Sequence, residues 1–391
     1  MNAWNIAPQL EKLQEQGLWR ELRPLDEVDG VIVRSRGREW VNFSSNDYLG
    51  LAGSPALRAA LEEGVAKYGA GAGASRLVCG THRVHLEFEE ALADFKGTEA
   101  ALTFSSGFAV ALGTIPALVG AADTIILDKL CHASLVDAAR LSGATIRVFP
   151  HNHLAKLERL LTTAKGRVLV VTESIFSMDG DAAPLREIVE LKTRHGAWLL
   201  VDEAHAVGVL GPQGRGLGAE IGVDDQIDLK MGTLSKAFGL SGGYLAASRQ
   251  VIDLLINRAR SFIYTTAPPA ALAHAALAAL DLLRSQQGDL LRHALHEKVL
   301  RVRDFLPGCT GHAAILPVIL GTESDAMSAS QHLKDAGFLV PCIRYPTVAR
   351  GSARLRVTLS AAHTQNQIGA LNATFGAQGF KRRLDQTAWI A

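Results

Sequence analysis

The chain has 391 residues, 48% hydrophobic and 20% charged, enough apolar content for a large core and for two or three domains of ~100–200 residues each. Its formal net charge is +1 with no long run of one sign, which excludes the electrostatic footprint of a nucleic-acid or anionic-membrane binder. The four cysteines (Cys79, Cys131, Cys309, Cys342) stand far apart, so neither a disulfide framework nor a zinc site is expected.

Residues 9–23 carry a mixed helical pattern, with Leu10, Leu13 and Leu18 broadly on one face and Pro24 ending it. Two short strand patterns follow at 30–34 and 39–43. From 46 to about 284, helical segments alternate with short apolar runs at 101–104, 124–127, 145–149, 168–172, 198–202, 227–231 and 242–247. Apolar strands separated by helices predict an α/β fold, with a mostly parallel central sheet covered by helices. A long helical pattern at 270–284 continues toward 303. Strand patterns at 314–320 and 355–359, with a helix at 325–336, then predict a smaller α+β domain. The expected division is an N-terminal arm (1–45), a large domain (46–284) and a small C-terminal domain (285–391).

Residues 100–122 carry no charge and are nominally long enough to span a bilayer. Ser105, Ser106, Gly107, Gly113, Pro116 and Gly120 interrupt them, so a turn leading into a buried helix is expected. The first residues show no basic segment followed by an apolar one, so no signal peptide is expected, and the expected location is the cytoplasm.

Lys236 lies in Gly-Thr-Leu-Ser-Lys-Ala-Phe-Gly, thirty-four residues after Asp202, which ends an apolar strand. Pyridoxal phosphate chemistry needs an amine to bond the cofactor aldehyde and a carboxylate to keep the pyridine nitrogen protonated. On a parallel sheet, sites lie at the carboxyl ends of strands, where Asp202 falls. Ser106, Gly107 and Phe108 stand between a strand and a helical run, where backbone N–H groups suit a phosphate. His132 follows another strand and, facing the cofactor, would stack on the ring and assist proton transfer. Ser177 follows the strongest apolar run and would hydrogen-bond the cofactor. Arg344, Arg354 and Arg356 offer guanidinium groups for carboxylates.

Three other patterns carry no chemistry. Asp202-Glu203-Ala204-His205 spells a helicase-type acidic box, but the chain has no triphosphate-binding loop. The glycines of 69–73 lack the preceding strand of a dinucleotide fingerprint. His151 and His153 lack a metal-site partner pattern, so no metal is assigned.

In this order, Asn42-Phe-Ser-Ser-Asn46-Asp-Tyr-Leu-Gly-Leu51, Ser106-Gly107-Phe108, His132-Ala-Ser134, Phe176-Ser177-Met-Asp-Gly180, Val201-Asp202-Glu-Ala-His205 and Thr233-Leu-Ser-Lys236 resemble the α-oxoamine synthases. That family comprises fold-type-I pyridoxal phosphate enzymes, and the resemblance covers nearly the whole chain. It implies pyridoxal 5'-phosphate as cofactor, with Lys236 as its Schiff-base partner and Asp202 on the pyridinium nitrogen. It further implies that His205 and Ser177 bond the ring oxygen, that His132 stacks on the ring, and that Gly107, Phe108 and Thr233 help hold the cofactor. Thr265 or Thr266 would reach the phosphate from a second subunit, which implies a homodimer with shared sites. Arg20, Asn46, His132, Thr347 and Arg356 are the implied substrate contacts. The segment 344–363 is most similar to members that join L-alanine to a pimeloyl thioester, carried by coenzyme A or an acyl carrier protein, with loss of carbon dioxide. Tyr345 and Arg350 depart from that pattern. The alternative is the chemistry of members that join glycine to acetyl-CoA, or of another member of the family, such as those that join glycine to succinyl-CoA or serine to a long acyl chain.

Overall fold

A computed structural model of the chain describes residues 4–16, 18–306 and 309–377. The described chain begins with the helix Ala7–Glu15, which buries none of its residues. It stops short of the expected 9–23 because Gln16 is followed in the sequence by Gly17, a poor helix former. Strands β1 (Glu27–Asp29), β2 (Ile32–Ser35) and β3 (Arg38–Asn42) form an antiparallel meander.

Seven strands build the central sheet: β4 (Ala100–Phe104), β5 (Thr124–Asp128), β6 (Thr145–Phe149), β7 (Val168–Glu173), β8 (Trp198–Asp202), β9 (Leu229–Thr233) and β10 (Gly243–Ala247). Their order is β4-β10-β9-β8-β7-β5-β6, with β10 antiparallel to both neighbours and the β9-to-β6 ladder parallel. Every strand of this sheet but β6 is buried along all or most of its length, which is why they read as continuous apolar runs rather than alternating ones. β6 lies at the edge and is exposed along most of its length. β9 starts two residues later than the 227–231 pattern, because Asp224–Gln226 forms a short 3-10 turn before it.

The uncharged stretch 100–122 becomes β4, a turn and the helix Gly107–Leu118. Among the described residues, no helix is long and apolar enough to cross a membrane. The expected long helix after 270 is two helices, Ala270–Arg284 and Gln286–Phe305. Ser285 separates them: its backbone is extended and its hydroxyl caps the second helix by accepting from Gly288 N–H.

The C-terminal part contributes β11 (Ile315–Gly321), β12 (Phe338–Leu339), β13 (Cys342–Ile343) and β14 (Ala353–Thr358). β14 pairs antiparallel with β11 and β13, while β12 pairs parallel with β3. The meander at 27–42 is thus stitched to the C-terminal part. One apolar cluster, including Phe43, Tyr48, Phe88, Tyr244, Leu316 and Val357, runs continuously between the large and small parts. The segment 46–48 therefore sits where the two meet, beside the carboxyl ends of the central strands.

Candidate active site

β8 and β9 are adjacent and parallel, so their carboxyl ends deliver Asp202 and the Lys236 turn to the same edge of the sheet. Lys236 is fixed by a closed loop: Leu234 N–H donates to Gly242 O (3.0 Å), Leu240 N–H to Leu234 O (2.9 Å) and Gly239 N–H to Lys236 O (2.9 Å). His205 follows Asp202 in a tight turn. Glu203 N–H donates to Met231 O (2.8 Å), and Glu203 O accepts from both Ala206 and Val207 N–H (2.9 Å each). The imidazole ends with Nε2 2.7 Å from Lys236 Nζ and Nδ1 2.5 Å from the Tyr48 hydroxyl.

The helix Gly107–Leu118 points its N-terminus at this edge. Ser106 caps it, its hydroxyl accepting from Ala109 N–H (3.1 Å). β10 passes directly beneath, and a Cβ on Gly243 would meet Gly107 N at 2.6 Å, so only glycine allows this approach. His132 is the N-cap of the helix Ala133–Ser142, with Nδ1 accepting from Ser134 N–H (3.2 Å). Its own N–H donates to Glu173 Oε1 (2.6 Å) at the end of β7.

Gly107, Phe108, His132, Asp202, His205 and Lys236 line one cavity of about 230 Å³, joined by Thr233. Larger cavities of about 560 and 540 Å³ share Trp198, at the opposite end of β8. Volume does not choose between them: only the smaller one gathers an amine, two imidazoles and two buried carboxyls.

Burial dominates the electrostatics. It lowers the Lys236 amine to about 8, against the pull of the Asp202 and Glu173 carboxylates and with help from the Arg356 charge. Burial raises both Asp202 and Glu173, and the Asp202 charge across the β7–β8 ladder raises Glu173 further. His205 is pushed well below its usual range by burial and then by the Lys236 and Arg356 charges, which keeps it neutral. Burial also lowers His132.

Arg356 and Asn46 meet beside the cavity, Arg356 Nη2 donating to Asn46 Oδ1 (3.1 Å). Arg356 Nε donates to the Ser177 carbonyl (2.6 Å), so Ser177 is tied to the arginine through its backbone. Arg20, Ser177, Thr265, Thr266 and Thr347 lie outside the cavity lining, and Arg20, Thr266 and Thr347 are exposed. Sequence reasoning gave no role to Tyr48 or Glu173. Glu173 ends an apolar strand just as Asp202 does, and that shared position was the available signal. His151 is pinned between Asp128 (3.1 Å) and Asp181 (2.7 Å); burial alone would lower it, but these bonds raise it to about 10. Among the described residues, no group of three or more His, Cys, Asp or Glu side chains is placed to hold a metal ion.

These residues fit pyridoxal phosphate. Asp202 is buried, and the hydrogen bond made by its Oδ1 is from Ala204 N–H (2.9 Å), within its own turn. With Ala109 N–H taken by the Ser106 cap, Gly107 and Phe108 N–H stand at the helix start for a phosphate. Lys236 supplies an amine that is substantially neutral near pH 8.

Residues 38–374 match the family model described as aminotransferase class I and II. An 8-amino-7-oxononanoate synthase from Geobacter sulfurreducens is 49% identical over 371 residues, covering 93% of this chain and 95% of the relative. A serine palmitoyltransferase from S. paucimobilis, solved with bound PLP and myriocin, superposes with a TM-score of 0.90 at 31% identity, covering 98% of each chain. An 8-amino-7-oxononanoate synthase from Francisella tularensis superposes with a TM-score of 0.75 at 28% identity, covering 89% of this chain and 98% of the other. The chain therefore belongs to the aminotransferase class I and II family and, within it, to the α-oxoamine synthases, the pyridoxal phosphate-dependent acyltransferases that the Lys236–Asp202 site pointed to.

Proposed function

We propose that the enzyme joins L-alanine to a pimeloyl thioester and releases 8-amino-7-oxononanoate, carbon dioxide and the free thiol, a step of biotin biosynthesis. The observation that carries this reading is near-full-length identity of 44–50% to proteins named 8-amino-7-oxononanoate synthase, from several bacterial genera. The thioester is carried by coenzyme A or by an acyl carrier protein. Two copies of the chain share each site, with Thr265 or Thr266 of the second copy reaching the phosphate. Exposed Leu77, Val78 and Tyr264 support this, because they flank the segment where Ala267 N–H is bonded to Ala74 O (2.9 Å). The four free cysteines suit the reducing cytoplasm.

When bound, pyridoxal phosphate supplies an electron sink for the charge left at the substrate α-carbon. The residues of the chain do the rest. Asp202 would keep the ring nitrogen protonated, and His132 would pack against the ring. Gly107 and Phe108 N–H hold the phosphate, supported by Thr233. Lys236 would be the amine that holds the aldehyde, and its nitrogen would move the α-proton of the bound amino acid. Arg356 and Asn46 grip the substrate carboxylate, and Arg20 and Thr347 contact the acyl donor.

Two results are expected. Covalent capture of added cofactor by the apoprotein should quicken as pH rises through about 8, because only the neutral Lys236 amine attacks the aldehyde. Stopped-flow absorbance reads this directly, and a rate flat from pH 6.5 to 9.5 would contradict the lowered amine. Arg356→Met should weaken L-alanine binding by about 10- to 100-fold, the loss of one or two charge-assisted hydrogen bonds. A spectral titration of the loaded protein measures it, and unchanged alanine affinity would remove Arg356 from the substrate site.

A further inference from the structure

Tyr48 is fully buried, and its main chain is held on both sides: its N–H donates to Asn46 O (2.8 Å) and its O accepts from Ala361 N–H (2.8 Å). The hydroxyl is therefore placed rather than free to swing. It lies 2.5 Å from His205 Nδ1 and 3.3 Å from Asn46 Oδ1, while that same Asn46 oxygen accepts from Arg356 Nη2. On the far side of the imidazole, Nε2 is 2.7 Å from Lys236 Nζ.

The hydroxyl has one proton to give and two acceptors within reach. Imidazole nitrogen is the stronger acceptor and the nearer, and burial raises the phenol to about 12, partly offset by the Arg356 charge, so the hydroxyl keeps its proton and donates it as a hydrogen bond. A hydrogen bond donated to Nδ1 leaves neutral His205 with its own proton on Nε2. We propose that Tyr48 is a positioning residue that donates to His205 Nδ1 and holds the imidazole in the Nε2–H tautomer, aimed at the Lys236 nitrogen and the cofactor's oxygen. This rests on the cavity being the cofactor site and is independent of which amino acid and thioester react. A second consequence follows from Asn46. A substrate carboxylate that draws Arg356 away from Asn46 frees an acceptor next to the Tyr48 hydroxyl, so substrate binding is felt at His205.

The test is Tyr48→Phe, which keeps the ring in the core and removes only the hydroxyl. Long-range nitrogen–proton NMR on full-length chain with ¹⁵N-labelled histidine reads the His205 tautomer, with and without cofactor. In the cofactor-loaded wild type, and in the apoprotein above about pH 8 where the Lys236 amine is neutral and can accept, Nε2 should carry the proton; in Tyr48→Phe the two tautomers should mix. The loaded variant should show a pH midpoint of visible absorbance moved by about half a unit or more. Its kcat should fall about 10-fold, with a smaller change in KM for the amino acid. A packing role alone would leave tautomer, pH midpoint and kcat unchanged. An Nδ1–H tautomer in the cofactor-loaded wild type, or a Tyr48→Phe spectrum and pH midpoint matching wild type, overturns the proposal. A different substrate pair would alter neither NMR result, so failure of the proposed reaction is read separately.

Discussion

Lys236→Ala is expected to abolish covalent capture of pyridoxal phosphate and to lower turnover by about 10,000-fold or more. Lys236 has two duties in this site: bonding the aldehyde and moving the α-proton. Its amine is the one placed at the edge where Asp202, His205 and Glu173 converge. Among the described residues no other lysine lines the cavity, so none of them offers a neighbouring amine to substitute. After borohydride treatment, the wild-type chain should gain the mass of reduced cofactor and the variant should not. A variant that still gains that mass would put the Schiff base on another residue. Binding without covalent capture should persist, since the helix start at Gly107 and the Asp202 carboxyl remain.

Lys96→Met should cost about 3–5 kcal/mol of stability, the effect of stranding a buried charge. Lys96 and Glu203 are both fully buried and meet at 2.5 Å. Lys96 Nζ also donates to Arg215 O, and Glu203 Oε1 accepts from Gly218 N–H (3.3 Å). Gly216 lies so close that a Cβ there would sit 2.3 Å from Glu203 Oε1, and its φ of +115° also favours glycine. The carboxylate is thus enclosed, at 0% exposure, and loses its charged partner in this variant. A double variant, Lys96→Met with Glu203→Met, should recover most of the loss, because an apolar pair can replace a buried ion pair. Urea unfolding of the three proteins measures this; a single variant as stable as wild type would contradict it. Since Glu203 O also organises the turn that carries His205, the single variant should bind cofactor less tightly as well.

Much of the sheet was legible because its inner strands are buried on both faces and its turns carry glycine and polar residues. The Lys236–Asp202 pair was legible for a related reason: each stands directly after an apolar run, where a parallel sheet opens its site. What escaped depends on distant partners. Tyr48 reaches His205 across 157 positions and Lys96 reaches Glu203 across 107, and neither pairing leaves a local pattern. Within Asp202-Glu203-Ala204-His205, the strand end singled out Asp202 and the resemblance singled out His205, but nothing in the sequence gave Glu203 its place. The fold sends Asp202 and His205 into the cavity and Glu203 behind it, against Lys96. Ser177 shows the same limit, since its hydroxyl looked like the useful atom while its carbonyl is what holds Arg356. The two-residue offset of β9 and the break at Ser285 arise from a short turn and a cap, features that hydrophobic pattern does not resolve.

The most direct test of the proposed reaction is mass spectrometry of the products formed by cofactor-loaded enzyme from paired substrates. With L-alanine and pimeloyl-CoA, the account predicts 8-amino-7-oxononanoate with one carbon dioxide and one free thiol per turnover, and little product from glycine and acetyl-CoA. Efficient product formation from glycine and acetyl-CoA, with none from L-alanine and either pimeloyl-CoA or a pimeloyl carrier protein, would contradict it.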